Sequence, residues 1–289
     1  MSQDCFVKSF LVSNTQESAS IDDFNVSVVG IGREAGSIAQ LLFQAPVRVT
    51  CHEVFARPRD KPGTSLKALI DKLSEEDLVF LVWESFDGPE AEVLRDLANF
   101  PRRKGSLPLL VGVIPEEMDN RLMVDAMLNP KMGLDSLFLL SSEMRVGTLS
   151  QPDQDTPTFD ALASHLITIL TQLNQQRCFI GIDFNDIVTI FKSGRIANMG
   201  FGIATGPKRV ENASRMAINS LNNHLTKATG VLAILRKEQG LSSEDFCKAS
   251  EVLHQHILPG NWPFIMGLVY DDSMGRRAEV TVLSIEANH

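Results

Sequence analysis

The stretch that decides the fold is residues 181–220, GIDFNDIVTIFKSGRIANMGFGIATGPKRVENASRMAINS. Asp183 and Asp186 stand ahead of an apolar-periodic run, Ile187–Ser193. Read by themselves they are helix-start residues. Aspartate accepts from the free amides there and suits the positive end of a helix. A strand is expected at Gly200–Ala204 and a helix at Val210–Asn222.

Toward the C-terminus, strands are expected at Gly230–Leu235, Phe264–Tyr270 and Glu279–Ile285, and a helix at Ser243–His256. Ser242 is a fair cap for that helix, with Asp245 three residues on. Only the polar segment Asp271–Arg277 separates the last two strands, which are expected to form a hairpin. This half reads as a smaller domain with a mixed sheet. Its histidines, His224, His254 and His256, show no clear partner in sequence. His254 and His256 are two apart, on different faces of a helix, so no shared metal is expected.

Toward the N-terminus, a helix over 159–175 carries Leu162, Leu166, Ile169, Leu170 and Leu173 on one stripe. A polar break at 147–158 precedes it. Before that, strands at Val26–Gly30, Val47–Glu53, Leu78–Val82, Leu109–Ile114 and Leu137–Leu140 alternate with helical patterns at Ile38–Leu42, Leu66–Leu73 and Pro89–Asn99. The alternation implies a mostly parallel sheet with helices on both faces. Such sheets bind ligands beyond the carboxyl ends of their strands, here the loops after residues 30, 53, 82 and 114. Residues 1–23 read as a poorly ordered arm with a short strand at Phe6–Val12.

The chain has 289 residues, 44% of them hydrophobic, enough for one large domain or two ordinary ones. A formal net charge of −9 argues against a nucleic-acid partner. The basic clusters Arg57–Lys61 and Arg102–Lys104 read as solvated loops. Four cysteines are scattered with no C-x-x-C pair, so no zinc or redox motif is expected, and free thiols fit a reducing cytosol. The start lacks a basic region followed by a long apolar run. No stretch of about 18 apolar residues offers a membrane span. A soluble, cytoplasmic protein is expected.

The order of a βαβ half, a long helix, an acidic loop and a smaller mixed-sheet half resembles FtsZ and the tubulin/FtsZ superfamily. MGFGIATG (Met199–Gly206), followed by Arg209, Ala213, Met216, Ala217, Ile218 and Ser220, is similar to that family's strand and following helix. GVLAIL (Gly230–Leu235), PFIMGLVYDD (Pro263–Asp272) and AEVTVLS (Ala278–Ser284) continue the match in order. The resemblance covers most of residues 24–286. It implies an α/β, tubulin/FtsZ-like fold: a flexible arm at 1–23, a Rossmann-like, parallel-sheet GTPase-like domain at 24–158, a long central helix at 159–180 and a mixed-sheet C-terminal domain at 181–289.

In that family one subunit holds GTP and the next subunit's acidic loop, Asn-x-Asp-Phe-x-Asp, completes the hydrolytic site. Here the loop is Gly181-Ile182-Asp183-Phe184-Asn185-Asp186, with both acids kept and the Asn position taken by Gly181. The resemblance implies catalytic roles for Asp183 and Asp186 on a neighbouring subunit, orienting a water in line with a γ-phosphate.

The nucleotide half departs from the family. Its first phosphate loop keeps Gly30, Gly32 and Gly36, but Glu34 intrudes and Arg33 stands beside it. The signature GGGTGTG is expected after Val82. The chain has Trp83-Glu-Ser-Phe-Asp-Gly-Pro-Glu90, in which only Gly88 remains. Glu84, Asp87 and Glu90 place carboxylates where a triphosphate needs N–H donors. Two like charges ~4 Å apart repel by about 4 kcal/mol at an effective dielectric of 20. Residues 56–64 lack the family's glycine–alanine form, and Ser141-Ser142-Glu143 stands near its Pro-Asn-Asp. Asp160 is the nearest candidate for a guanine-reading acid, with Phe159 beside it for stacking. By themselves these two read as a helix-start acid and a core residue.

The expectation is an FtsZ-like prokaryotic cytoskeletal protein whose nucleotide site, Gly30, Gly32, Arg33, Gly36, Gly88 and Asp160, is degenerate. It would be an inactive or weak GTPase with no required cofactor, GTP or GDP being the candidates. Its partner would be itself, head to tail, or an FtsZ homologue, through the 181–186 loop and the face around Gly30–Gly36 and Trp83–Gly88. Such contacts build open filaments, or a one-sided cap where Glu84 and Asp87 block one face. The chain stops after its last strand, which weighs against a principal division-ring role. Two alternatives remain. One is an active GTPase forming dynamic filaments. The other is an NAD(P)-binding Rossmann enzyme, from Gly30-x-Gly32-x-x-x-Gly36 with Glu53 ending the next strand.

Overall fold

The computed structural model describes residues 5–13, 24–32, 35–45, 47–56, 66–84, 90–100, 108–116, 127, 133–141, 157–175, 178–180, 182–221, 224–238, 243–257 and 262–287. The chain divides into two compact units, Met1–Phe138 with Phe159–Thr171, and Leu139–Thr158 with Gln172–His289.

The first unit is built on β2 (Val26–Ile31), β3 (Arg48–Ala56), β4 (Leu78–Trp83) and β5 (Leu109–Pro115). β2 pairs in parallel with β3 and β4, and β4 with β5. All six residues of β4, LVFLVW, are buried, as a parallel strand covered on both faces requires. The helices α1 (Ala35–Leu42), α2 (Leu66–Leu73) and α3 (Glu90–Ala98) carry the crossovers. α2 buries Leu66, Leu69 and Leu73, one helical stripe. α4 (Phe159–Gln175) begins in this unit and buries Leu162, Leu166, Ile169 and Leu170.

The short strand expected at Phe6–Val12 is β1 (Cys5–Ser13), a full partner of β3. It pairs antiparallel from Cys5↔Ala56 to Ser13↔Arg48 and forms the sheet edge. Residues 14–23 lie outside the described residues. Beyond β5 the order continues to β6 (Ser136–Leu140). Asp135 sets that approach: its carboxylate accepts from the Leu110 amide at 2.8 Å, and its own amide donates to Leu110 O at 2.8 Å.

The second unit comprises β7 (Cys178–Ile180), α5 (Phe184–Phe191), β8 (Ile196–Thr205), α6 (Arg209–Ser220), β9 (Ala228–Lys237), α7 (Ser243–His254), β10 (Phe264–Tyr270) and β11 (Arg277–Glu286). Its strands run β8-β11-β9-β10-β7. Among its described strand pairs only β9 and β10 are parallel, joined through α7.

The expected hairpin between the last two strands does not form. β9 lies between them, and β11 pairs antiparallel with both β8 and β9. The reason is burial: nine of the ten β11 residues are buried, which needs a long neighbour on each side, and β10 is only seven residues long. The chain steps past the end of β9 over residues 271–276, with the Asp271 amide donating to Lys237 O at 2.9 Å. Two strand spacings are about 10 Å, an easy span for that length.

Glycine decides how closely β8 meets α6. A Cβ on Gly202 would strike the Ala213 carbonyl oxygen and lie 2.5 Å from Met216 Cβ, and one on Gly200 would strike the Ala217 carbonyl oxygen. The MGFGIATG motif is therefore a packing motif, with glycines facing the helix backbone.

Candidate functional site

Asp183 is the N-cap of α5, with φ −81° and ψ 166°. Asp183 Oδ1 accepts from the Asp186 amide at 2.8 Å, and Asp186 Oδ2 accepts from the Asp183 amide at 3.2 Å. This is a capping box with an acid at each end. The helix is held from below by buried Ile187, Ile190 and Phe191, and Ile182 is buried just before it. Both bonds are exposed, and no described residue engages the second oxygen of either carboxylate. The helix-start reading is realised, and one oxygen of each carboxylate is left outside the cap. Gly181 lies outside the described residues.

On the carboxyl side of the first unit's parallel strands the predicted residues separate. Gly30 is a buried strand residue, paired with Glu53 on β3 and Val82 on β4. Gly32 begins the turn with φ 95°, a conformation glycine adopts freely, and its amide donates to Val54 O at 3.0 Å. Gly36 is the second residue of α1, where a Cβ would lie 3.3 Å from Glu53 Oε1. The other oxygen, Oε2, is 3.5 Å from Lys8 Nζ. Arg33 and Gly88 lie outside the described residues, as do Glu34, Asp87 and residues 57–65.

Trp83 corrects an expectation. It is the last residue of β4 and fully buried, so its indole lines the core and offers no subunit-contact face. Gly112 makes the room, since a Cβ there would lie 2.9 Å from Trp83 Cη2 and 2.7 Å from Leu137 Cδ1. Glu84 follows at the strand exit, half-buried, and Glu90 with Glu92 opens α3. Asp160 sits in the first turn of α4, and its Oδ1 is buried without a hydrogen-bond partner.

Sequence reasoning missed two clusters. His52 on β3 is 2% exposed and bridges two hydroxyls: Ser9 Oγ lies 2.7 Å from Nδ1, and Ser27 Oγ lies 3.3 Å from Nε2. Burial, and then the nearby Lys72 charge, lower its pKa to about 4. Next to it, burial and the Glu53 charge push the Cys51 thiol up to about 12, so it stays protonated. Alternation along RVTCHEVFA placed a strand, but nothing in that pattern marked His52 as bridged.

In the second unit His224, expected to lack a partner, faces Glu286 at 2.7 Å, and Glu286 also accepts from Asn198 at 3.0 Å. Their separation along the chain hid the pair. Arg236 joins Glu279 at 2.7 Å and Asp271 at 3.5 Å, and Lys237 joins Asp245 at 3.1 Å. Asp245 thus serves a strand lysine, while its expected capping partner Ser242 lies outside the described residues.

No family model matches the chain. The cell division protein FtsZ of Buchnera aphidicola is 22% identical over 245 residues, covering 80% of this chain and 62% of that relative. The chain spans less than two thirds of the length of the curated relatives it matches. Among solved structures, the empty FtsZ dimer of M. jannaschii superposes with a TM-score of 0.67 at 18% identity, over 91% of this chain and 88% of that one. The GTPγS-bound protofilament of CetZ2 from Haloferax volcanii gives 0.60 at 11% identity, over 92% and 94%. The fold is therefore that of the tubulin/FtsZ superfamily. In sequence the chain is similar to FtsZ proteins at 22–25% identity.

Among the described residues no helix is long and apolar enough to cross a membrane.

Proposed function

We propose that this protein is an FtsZ-like cytoskeletal subunit with a degenerate nucleotide pocket, which assembles head to tail or modulates the filament of a true FtsZ. The observation that carries the reading is the exposed Asp183–Asp186 pair at the start of α5. Each acid spends one oxygen on the cap and keeps one for a partner. Assembly is supported by relatives described as a dimer and as a protofilament.

A guanine nucleotide suits one end of the first unit better than the other. Asp160 carries a buried, unpartnered carboxylate oxygen of the kind a base N–H would satisfy. At the phosphate end, Glu53 lies against Gly36, and Glu84 follows β4 in place of a glycine. A triphosphate does not fit among those acids. The acidic pair would then act on nucleotide held by a partner.

The test is sedimentation of the protein alone and mixed with an FtsZ, with and without GTP. Pelleting alone without nucleotide identifies a self-assembling filament, and a change only in FtsZ pelleting identifies a modulator. No pelleting and no effect on FtsZ overturns both.

A further inference from the structure

We infer that β1 pairs with β1 of a second copy of this chain, antiparallel and centred on Ser9, so that two sheets join across a twofold axis. This contact is separate from head-to-tail assembly and from any nucleotide. Its first ground is an open sheet edge. β1 ends the strand order, and among the described residues only β3 pairs with it. The other side of β1 presents a row of backbone amides and carbonyls, which an added strand satisfies.

The second ground is where apolar surface lies. Among the described residues the exposed large hydrophobics are Leu11, 54% exposed, and Phe43, 49% exposed. Both belong to this edge. Leu11 is on β1, and the ring of Phe43, just past the end of α1, stacks on Phe10 of β1 with centroids 6.3 Å apart. A single exposed apolar residue is ordinary, but two gathered on an open edge mark a contact. Soluble proteins guard such edges with lysine. The charge of Lys8 is offset within its own chain: Nζ lies 3.5 Å from Glu53 Oε2 and 5.3 Å from the centre of the Phe10 ring.

The sequence of β1 names the occupant. CFVKSFLVS is complementary to itself when reversed about Ser9. In that register Lys8 stands opposite the partner's Phe10, and Leu11 opposite the partner's Val7. Each lysine meets an aromatic ring and each exposed leucine a valine, both favourable cross-strand pairs. No two like charges stand directly opposite. Because both copies use the same strand, the contact closes as a dimer.

Sedimentation equilibrium of the full chain without nucleotide tests this. The native chain is expected to reach twice the monomer mass. Leu11→Lys and Phe43→Ser, both at exposed sites, should each weaken the dimer at least about tenfold. Asp183→Asn should leave it intact. Ser9→Cys should give an intermolecular disulfide between the two substituted positions on mild oxidation, assigned by peptide mapping. Circular dichroism confirms that each variant is folded. A native chain that stays monomeric overturns the inference and leaves the edge to a strand of another protein. A dimer lost in Asp183→Asn but not in Leu11→Lys also overturns it, since that contact is head to tail. A dimer weakened by Leu11→Lys in which residue 9 forms no bridge overturns the Ser9-centred pairing.

Discussion

Asp183 and Asp186 cap each other: each side chain accepts from the other's backbone amide, at 2.8 and 3.2 Å. One pair of residues thus serves the start of α5 and, on the proposed reading, would present acid to a partner, and the two duties can be separated by chemistry. Asparagine caps a helix about as well as aspartate but carries no charge.

Asp183→Asn is therefore expected to unfold in urea with the stability of the native chain, while losing assembly with, or stimulation of, a partner FtsZ. Asp183→Ala should lose both, the cap costing about 1 kcal/mol. An Asp183→Asn protein that still acts fully on its partner would leave the carboxylate with a structural duty only.

Folding lowers the His52 pKa from 6.5 to about 4, so the unfolded chain binds that proton more tightly. Its contribution is present in full above about pH 6.5 and is lost as the pH falls toward 4, by about 3 kcal/mol in total. Glu76, whose pKa burial raises, works the other way and favours the folded state as pH drops through the carboxylate range. Urea melts from pH 7 to pH 4 should show the decline, and His52→Gln should flatten it. A native chain with no decline over that window would contradict the burial of a neutral imidazole.

Gly202→Val should destabilise the second unit by more than about 3 kcal/mol, because the new side chain meets α6 backbone that cannot turn aside. Chemical denaturation measures this, and a near-neutral result would mean β8 and α6 are not in close contact.

Arg236→Ala should cost about 3–5 kcal/mol by leaving Glu279, 2% exposed, without its 2.7 Å partner. Arg236→Met combined with Glu279→Leu should recover most of that loss. A double-mutant cycle in urea isolates the energy of the Arg236–Glu279 pair.

Much of the fold was legible because its elements carry unmixed signals. The apolar run Leu78–Val82 between turn residues reads as a buried strand, which the structure extends to Trp83, and α2 from Leu66 to Leu73 shows helical spacing without interruption. MGFGIATG and its following helix identified the second unit. Pairing was harder to read. Closeness in sequence suggested that β10 and β11 pair, whereas the long buried β11 needed β8 and β9. β1 was expected only as a short strand in an arm because CFVKSFLVS has no turn to tie it to β3, its partner.

The site was legible only in part. The Asp183–Asp186 box follows from two acids three apart before an apolar run. Trp83 read as loop because a missing family motif was expected there, and its burial depends on Gly112, which belongs to another strand. Glu53 against Gly36, and His52 between Ser9 and Ser27, depend on strand register, which a single sequence does not encode locally.

The most direct test of the central claim is GTP binding to the native chain by isothermal calorimetry at low salt. On the degenerate-pocket reading proposed above, no binding in the micromolar range is expected, with Glu84 following β4 where a glycine signature would be needed. Micromolar affinity, with a stoichiometry near one, would contradict it and make an active GTPase filament the leading reading.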